Sequence, residues 1–177
     1  MPHDLQPDEP KRRATVDDIL DQWGKEYSDV DVAPMGVIGR VWRLSRYFES
    51  AVSDVLGEFG CTLPEFDVLA TLRRSGAPYS LTAGELMRSA MVTSGAVTNR
   101  VDRLVERGWV TRTVDPHNKR IRRITLTQDG LDLVNRIVPA HVDNERRLLS
   151  PLTQEEQDLL AALLRKLSVF DHTTLRA

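Results

Sequence analysis

Residues 81–127, LTAGELMRSAMVTSGAVTNRVDRLVERGWVTRTVDPHNKRIRRITLT, constrain this chain more than any other segment. Thr82 and Glu85 have the Thr-x-x-Glu spacing of a capping box, opening a helix that carries Leu86 and Met87. A short turn at 90–92 leads to Thr93, a good N-cap for a second helix that Gly108 ends. Two helices joined by so short a turn form a helix-turn-helix. Residues 109–114 and 121–127 then alternate as paired strands around Asp115-Pro116, which begins a turn. From Arg88 to Arg123 the segment holds nine Lys or Arg against three acids, a local balance of +6 in a chain of net charge -2. Charge concentrated in this way is the footprint of phosphate binding, and the mildly acidic total does not oppose it, because the local field governs contact.

The flanks read as helices. Thr15 with Asp18 caps a short helix bearing Ile19, Leu20, Trp23 and Tyr27, and Pro34 suits the first turn of a longer one. That second helix repeats Val37, Val41, Leu44, Phe48, Val52, Val55 and Phe59 at steps of four or three, with Gly60 as its stop. A helix over 63–74 buries Phe66, Leu69, Ala70 and Leu72. Thr127 caps a further helix that Pro139 is expected to kink or break, and Thr153 with Glu156 opens a last one faced by Leu159, Leu160, Leu163, Leu164 and Leu167. The terminal helices carry more apolar surface than a lone small domain needs, which predicts a two-fold dimer presenting two recognition helices to successive major grooves. The expected class is therefore mainly α with a small β-hairpin wing, flanked by N- and C-terminal dimerisation helices. The expected organisation is a disordered tail over 1–14, dimerisation and ligand-pocket helices over 15–62, a DNA-binding module over 63–127 and C-terminal dimerisation helices over 128–177.

With residues placed at 100° intervals, the inward stripe of the second motif helix centres on Val97, Val101, Leu104 and Val105. Gly95, Asn99, Asp102, Arg103 and Glu106 lie opposite it, with Thr98 at the edge and Arg100 beside the stripe. Asn pairs bidentately with adenine and Arg with guanine, so Ser94, Thr98, Asn99 and Arg103 are the expected groove contacts. Lys119, Arg120 and Arg122 are the expected wing contacts, although only one of Arg122 and Arg123 can face the duplex.

Other function classes have little support. No apolar run spans a bilayer and the N-terminus has no signal-type apolar core, so the chain is expected in the cytoplasm. The single cysteine, Cys61, excludes an intrachain disulfide framework and leaves oxidant sensing as an alternative. His3, His117, His141 and His172 have no metal-ligand spacing, and no cofactor motif is present. No nucleophile elbow, phosphate-binding loop or metalloprotease motif occurs, so the chain is not read as an enzyme. A winged small-molecule binder without DNA function remains the other alternative.

This order of elements resembles the MarR family of winged-helix regulators over about residues 33–170. The family wing reads Asp-x-Arg, five residues, then Leu-Thr; here Asn118-Lys119-Arg120 precedes Leu126-Thr127, with Asn118 where the pattern has an acid. TSGAVTNRVDRLVERGWV resembles the family's recognition helix and first strand. The added N-terminal helix with Trp23, the stretch DVDVAPMGVIGRVWRLSR and the block LPEFDVLATLRRSG resemble the urate-responsive subgroup. That resemblance implies a ligand site of Trp23, Asp67, Arg100 and Arg112 for a flat anion such as urate, a related purine or a phenolic acid. An anion disturbing an Asp67–Arg100 pair would shift the recognition helix. The resulting expectation is a homodimeric, ligand-responsive repressor on a pseudo-palindromic operator.

Overall fold

A computed structural model describes residues 14–90, 97–115 and 118–168. The helices are α1 (Val16–Glu26), α2 (Ala33–Glu58), α3 (Leu63–Arg74), α4 (Ala83–Ser89), α5 (Val97–Glu106), α6 (Gln128–Leu149) and α7 (Gln154–Ser168). Three short strands, β1 (Ser80–Thr82), β2 (Val110–Val114) and β3 (Arg122–Leu126), form one antiparallel sheet in the order β1-β3-β2. The chain is thus mainly α with a small sheet, as the pattern predicts, and it divides into the units Met1–Glu49 and Ser50–Ala177.

Local chemistry sets most helix ends. Thr15 accepts from the Asp18 amide at 3.0 Å while Asp18 accepts from the Thr15 amide at 2.6 Å. The same reciprocal bonds close Thr82 with Glu85 and Thr153 with Glu156. A fourth box, Thr62 with Glu65, opens α3 and has the same legible spacing, but the sequence reading passed over it. Gly60 and Gly108 follow α2 and α5 with φ of 63° and 71°, left-handed values that a side chain would resist.

In the second unit, α3 is the central helix. Phe66, Val68, Leu69 and Leu72 of α3 join Leu56, Leu86, Leu104, Val110, Ile124, Val134 and Ile137 in one buried cluster. β1, which the sequence reading did not anticipate, pairs Ser80 with Thr125, and the two hydroxyls meet at 2.7 Å. β2 pairs Arg112 with Ile124, the register of the expected hairpin. Gly130 allows α6 to start against β2: a Cβ there would lie 2.0 Å from the Trp109 carbonyl oxygen. Pro139 does not break α6, which runs without interruption from Gln128 to Leu149. Tertiary bonds flank the proline on both sides, Arg73 to Asn135 before it and Asn144 to the Ala51 carbonyl after it.

The first unit consists of α1 and the first part of α2. Gly36 brings α2 close to Leu20, and Arg40 pairs with Asp17 at 2.6 Å. Few of its apolar side chains are covered within the chain: Val37, Val41, Leu44 and Tyr47 are exposed, and Trp42 is 75% exposed.

Candidate nucleic-acid interface and sensing residues

The recognition helix α5 is sorted by its own periodicity. Val101 and Leu104 are buried against the core, and α3 packs beside them. On the far side Thr98, Asn99 and Arg103 are all exposed, with the Arg103 Nε donating to the Asn99 carbonyl at 3.4 Å. Ser94, the other expected groove contact, lies outside the described residues. Arg103 forms no ion pair among the described residues, so its charge is available to an acceptor in solution or in a groove.

The wing is built around a turn whose side chains bond its own backbone. Asn118 accepts from the Arg120 amide at 3.0 Å, and the Asn118 amide donates to Asp115 at 3.1 Å. An acid at position 118 is therefore not needed to shape the turn, because a neutral amide oxygen accepts the same bond. Asp115, buried at the base of the wing, receives both Nε and Nη2 of Arg123 at 3.2 and 2.9 Å. That bidentate pair settles which of the adjacent arginines carries free charge. Arg123 is neutralised, whereas Arg122 is exposed and, among the described residues, donates to the Lys119 carbonyl at 2.9 Å without an ion pair. Lys119 and Arg120 are exposed at the tip. Among the described residues Arg103, Lys119, Arg120 and Arg122 are exposed and have no ion-pair partner, the kind of positive surface that phosphate binding requires.

The expected sensing residues are placed differently from one another. Arg100 is only 9% exposed, and its buried Nη1 has no hydrogen-bond partner among the described residues. A guanidinium cannot shed its proton, so a buried donor without an acceptor is costly, on the order of 1–3 kcal/mol. Asp67 is buried to the same degree on α3, the helix packed against α5. Arg112 leaves β2 toward α5 and pairs with Asp102, joining a residue expected at a pocket to one expected on the DNA face. Trp23 belongs to the first unit, on α1, where its ring lies 5.4 Å from that of Tyr27.

Cys61 is buried, and its Sγ donates to the Thr62 carbonyl at 3.5 Å. Burial, assisted by the nearby Glu65 carboxylate, pushes its thiol up to about 12, with Arg107 opposing weakly. Oxidant sensing needs an accessible thiolate, and burial works against both access and ionisation at Cys61. His141 meets Glu145 at 3.2 Å and the Phe66 ring at 5.0 Å. Among the described residues no group of three or more His, Cys, Asp or Glu could hold a metal ion.

Residues 59–121 match the sequence profile of the MarR family. The regulator PecS of Dickeya dadantii is 42% identical over 153 residues, covering 86% of this chain and 92% of PecS. The chain belongs to the MarR family. Sco3205, a MarR-family regulator of Streptomyces coelicolor solved with DNA, superposes with a TM-score of 0.70 at 26% identity, covering 78% of this chain and 88% of Sco3205. A cysteine variant of Escherichia coli MarR bound to operator DNA gives 0.68 at 28% identity, covering 78% of this chain and 99% of that one. This MarR-family chain is accordingly a winged-helix, DNA-binding transcription regulator, and its relatives are regulators and not enzymes. No helix among the described residues is long and apolar enough to cross a membrane.

Proposed function

We propose that the chain is a cytoplasmic homodimeric repressor of a pseudo-palindromic operator, released by a small anionic aromatic ligand such as urate or a related purine. Ser94, Thr98, Asn99 and Arg103 read base edges, while Lys119, Arg120 and Arg122 bind phosphates. The half-sites lie about one helical turn, roughly 10 base pairs, apart. Dimerisation is supported by apolar residues left uncovered within the chain, on the first part of α2 and along α7.

The observation that carries the ligand reading is the division of α5 into two polar faces. One exposes Asn99 and Arg103; the other buries Arg100, whose Nη1 has no partner among the described residues. An anion reaching Arg100 would satisfy that donor and would bear directly on the helix that reads DNA. Arg112, which pairs with Asp102 on the other side of α5, is assigned to the ligand by the subgroup resemblance. The ligand lowers DNA affinity only by as much as it binds the released conformation better than the DNA-bound one. Asp67 is likewise buried, on the neighbouring α3, and Trp23 is assigned to the ligand by the subgroup resemblance alone.

Titrating urate, xanthine and phenolic acids into the protein–operator complex tests this reading. Urate or a related purine should release the DNA, and Arg100→Gln, Arg112→Ala and Trp23→Ala should each blunt the release. No response to any of these ligands would sink the effector assignment while leaving DNA binding intact.

A further inference from the structure

Arg107, the residue after α5, ties the recognition helix to three other elements. Its Nη2 donates to the Gly60 carbonyl at 2.7 Å, and its Nη1 donates to Glu65 Oε2 at 3.2 Å. Its guanidinium carbon lies 3.8 Å from the centroid of the Trp109 ring. Glu65 is itself fixed, accepting from the Thr62 amide at 2.9 Å and the Thr62 hydroxyl at 2.8 Å. Its burial raises the carboxyl pKa, but those two bonds together with Arg107 outweigh the rise and hold it below the ordinary range. The neighbouring backbone is equally committed: the Thr127 hydroxyl donates to the Gly108 carbonyl at 2.7 Å and the Thr127 amide to the Trp109 carbonyl at 3.1 Å. Residues 107–109 therefore fasten the end of α5 to the α2–α3 junction, to the start of β2 and to the start of α6.

We infer that Arg107 is a positioning residue for DNA recognition, setting the angle at which Thr98, Asn99 and Arg103 enter the groove without itself contacting the duplex. The inference rests on α5 being the helix that reads DNA. An arginine in this segment is at first sight one more phosphate contact. The geometry points elsewhere: a buried carboxylate neutralises its charge, a carbonyl takes a second donor, and an indole covers its face. A planar fork with a stacking face matches all three partners, whereas a lysine ammonium matches only the charge. Base readout needs side chains placed within about 0.5 Å, so an anchor one helical turn from Arg103 acts on recognition through geometry.

The test uses the full-length chain with Arg107→Gln, Arg107→Lys and Glu65→Gln. Affinity is measured across a salt series for an operator duplex obtained by in vitro selection and for a scrambled duplex of equal length. Arg107→Gln should weaken operator binding about tenfold while leaving scrambled-duplex affinity and the salt slope unchanged. Arg107→Lys should recover part of the loss, and Glu65→Gln should lose about threefold in the same direction. A salt slope reduced by about one, with both duplexes weakened alike, would make Arg107 a phosphate contact and overturn the inference. A lowered melting temperature with an unchanged operator-to-scrambled ratio would reduce it to a stabilising role and overturn it too. If Arg107→Gln fails to fold, the ratio in Arg107→Lys and Glu65→Gln decides, and an unchanged ratio in both overturns it. A wild type that cannot distinguish the two duplexes defeats the reading of α5 itself, and this role with it.

Discussion

Helices α3 and α7 are similar in length and both rich in leucine or other apolar residues, yet they end in opposite environments. Seven of the twelve residues of α3 are buried, and none of α7 is. Leu159, Leu163 and Leu167 of α7 are 60%, 48% and 53% exposed. The difference lies in what each helix has around it. α3 is enclosed by α4, α5, α6 and the sheet, whereas α7 is bonded back to its own chain chiefly at its start, where Gln157 donates to the Leu149 and Leu152 carbonyls. The stripe of α2 shows the same contrast within one helix: Val37, Val41 and Leu44 are exposed, while Leu56 is fully buried. The winged core is completed by one chain, while α7 and the start of α2 carry apolar faces left exposed among the described residues.

Four experiments can break or sharpen that contrast. The largest effect is expected at Gly130, inside the completed core. Gly130→Ala places a Cβ 2.0 Å from the Trp109 carbonyl oxygen, against backbone that has no side-chain end to swing away, and should cost about 3 kcal/mol or more in a denaturant melt. A near-neutral result would show that the junction of α6 and β2 is looser than it is drawn. Next is the open face: Leu160→Asp with Leu164→Asp should give a folded monomer by sedimentation, with operator affinity down about 100-fold through lost bivalency. If the doubly substituted chain stays dimeric, α7 is not the interface.

Smaller effects are expected at single contacts. Asn99→Ala and Arg103→Ala should each cost about 1–3 kcal/mol at particular base positions, whereas Arg120→Ala should weaken all sequences alike. A binding survey in which Arg103→Ala leaves base preference unchanged would remove α5 from direct readout. The smallest concerns Glu65, whose carboxyl is held below its ordinary value of 4.5. A depressed carboxyl stabilises the fold above the unfolded value and loses that contribution as pH falls through its folded value. Acid unfolding below about pH 4.5 should therefore be less steep in Glu65→Gln than in the wild type. Parallel acid transitions would show that the Thr62 and Arg107 partners hold Glu65 no better than solvent does.

The candidate site was legible as far as one helix's own periodicity reaches. That periodicity placed Asn99 and Arg103 opposite the stripe, Thr98 at its edge and Arg100 beside it; the structure exposes the first three and buries Arg100, but it also leaves Val105 of the stripe 39% exposed. It could not assign the arginines that leave their own element. Arg112 pairs with Asp102, Arg123 with Asp115 and Arg107 with Glu65, and these partners are fixed only once α3, α5, β2 and β3 are assembled. Arg122 and Arg123 are adjacent cations in the sequence, and a buried acid separates their roles.

The sequence by itself determined the elements whose signals are local: the capping boxes at Thr15, Thr82 and Thr153, the glycine stops after α2 and α5, the helix over Leu63–Arg74 and the basic hairpin. These signals act across three or four residues, so reading them needs no knowledge of the rest of the chain. Tertiary structure alone decided the rest. β1 is three residues long, too short for any periodicity, and exists because Ser80 finds Thr125 across the sheet. α6 passes through Pro139 while packed on α3, with bonds to Arg73 and Ala51 on either side. The arginines of the winged unit divide among exposed, buried and anchoring positions, and the anchoring ones, Arg107, Arg112 and Arg123, settle where a carboxylate is held, which only the assembled fold decides.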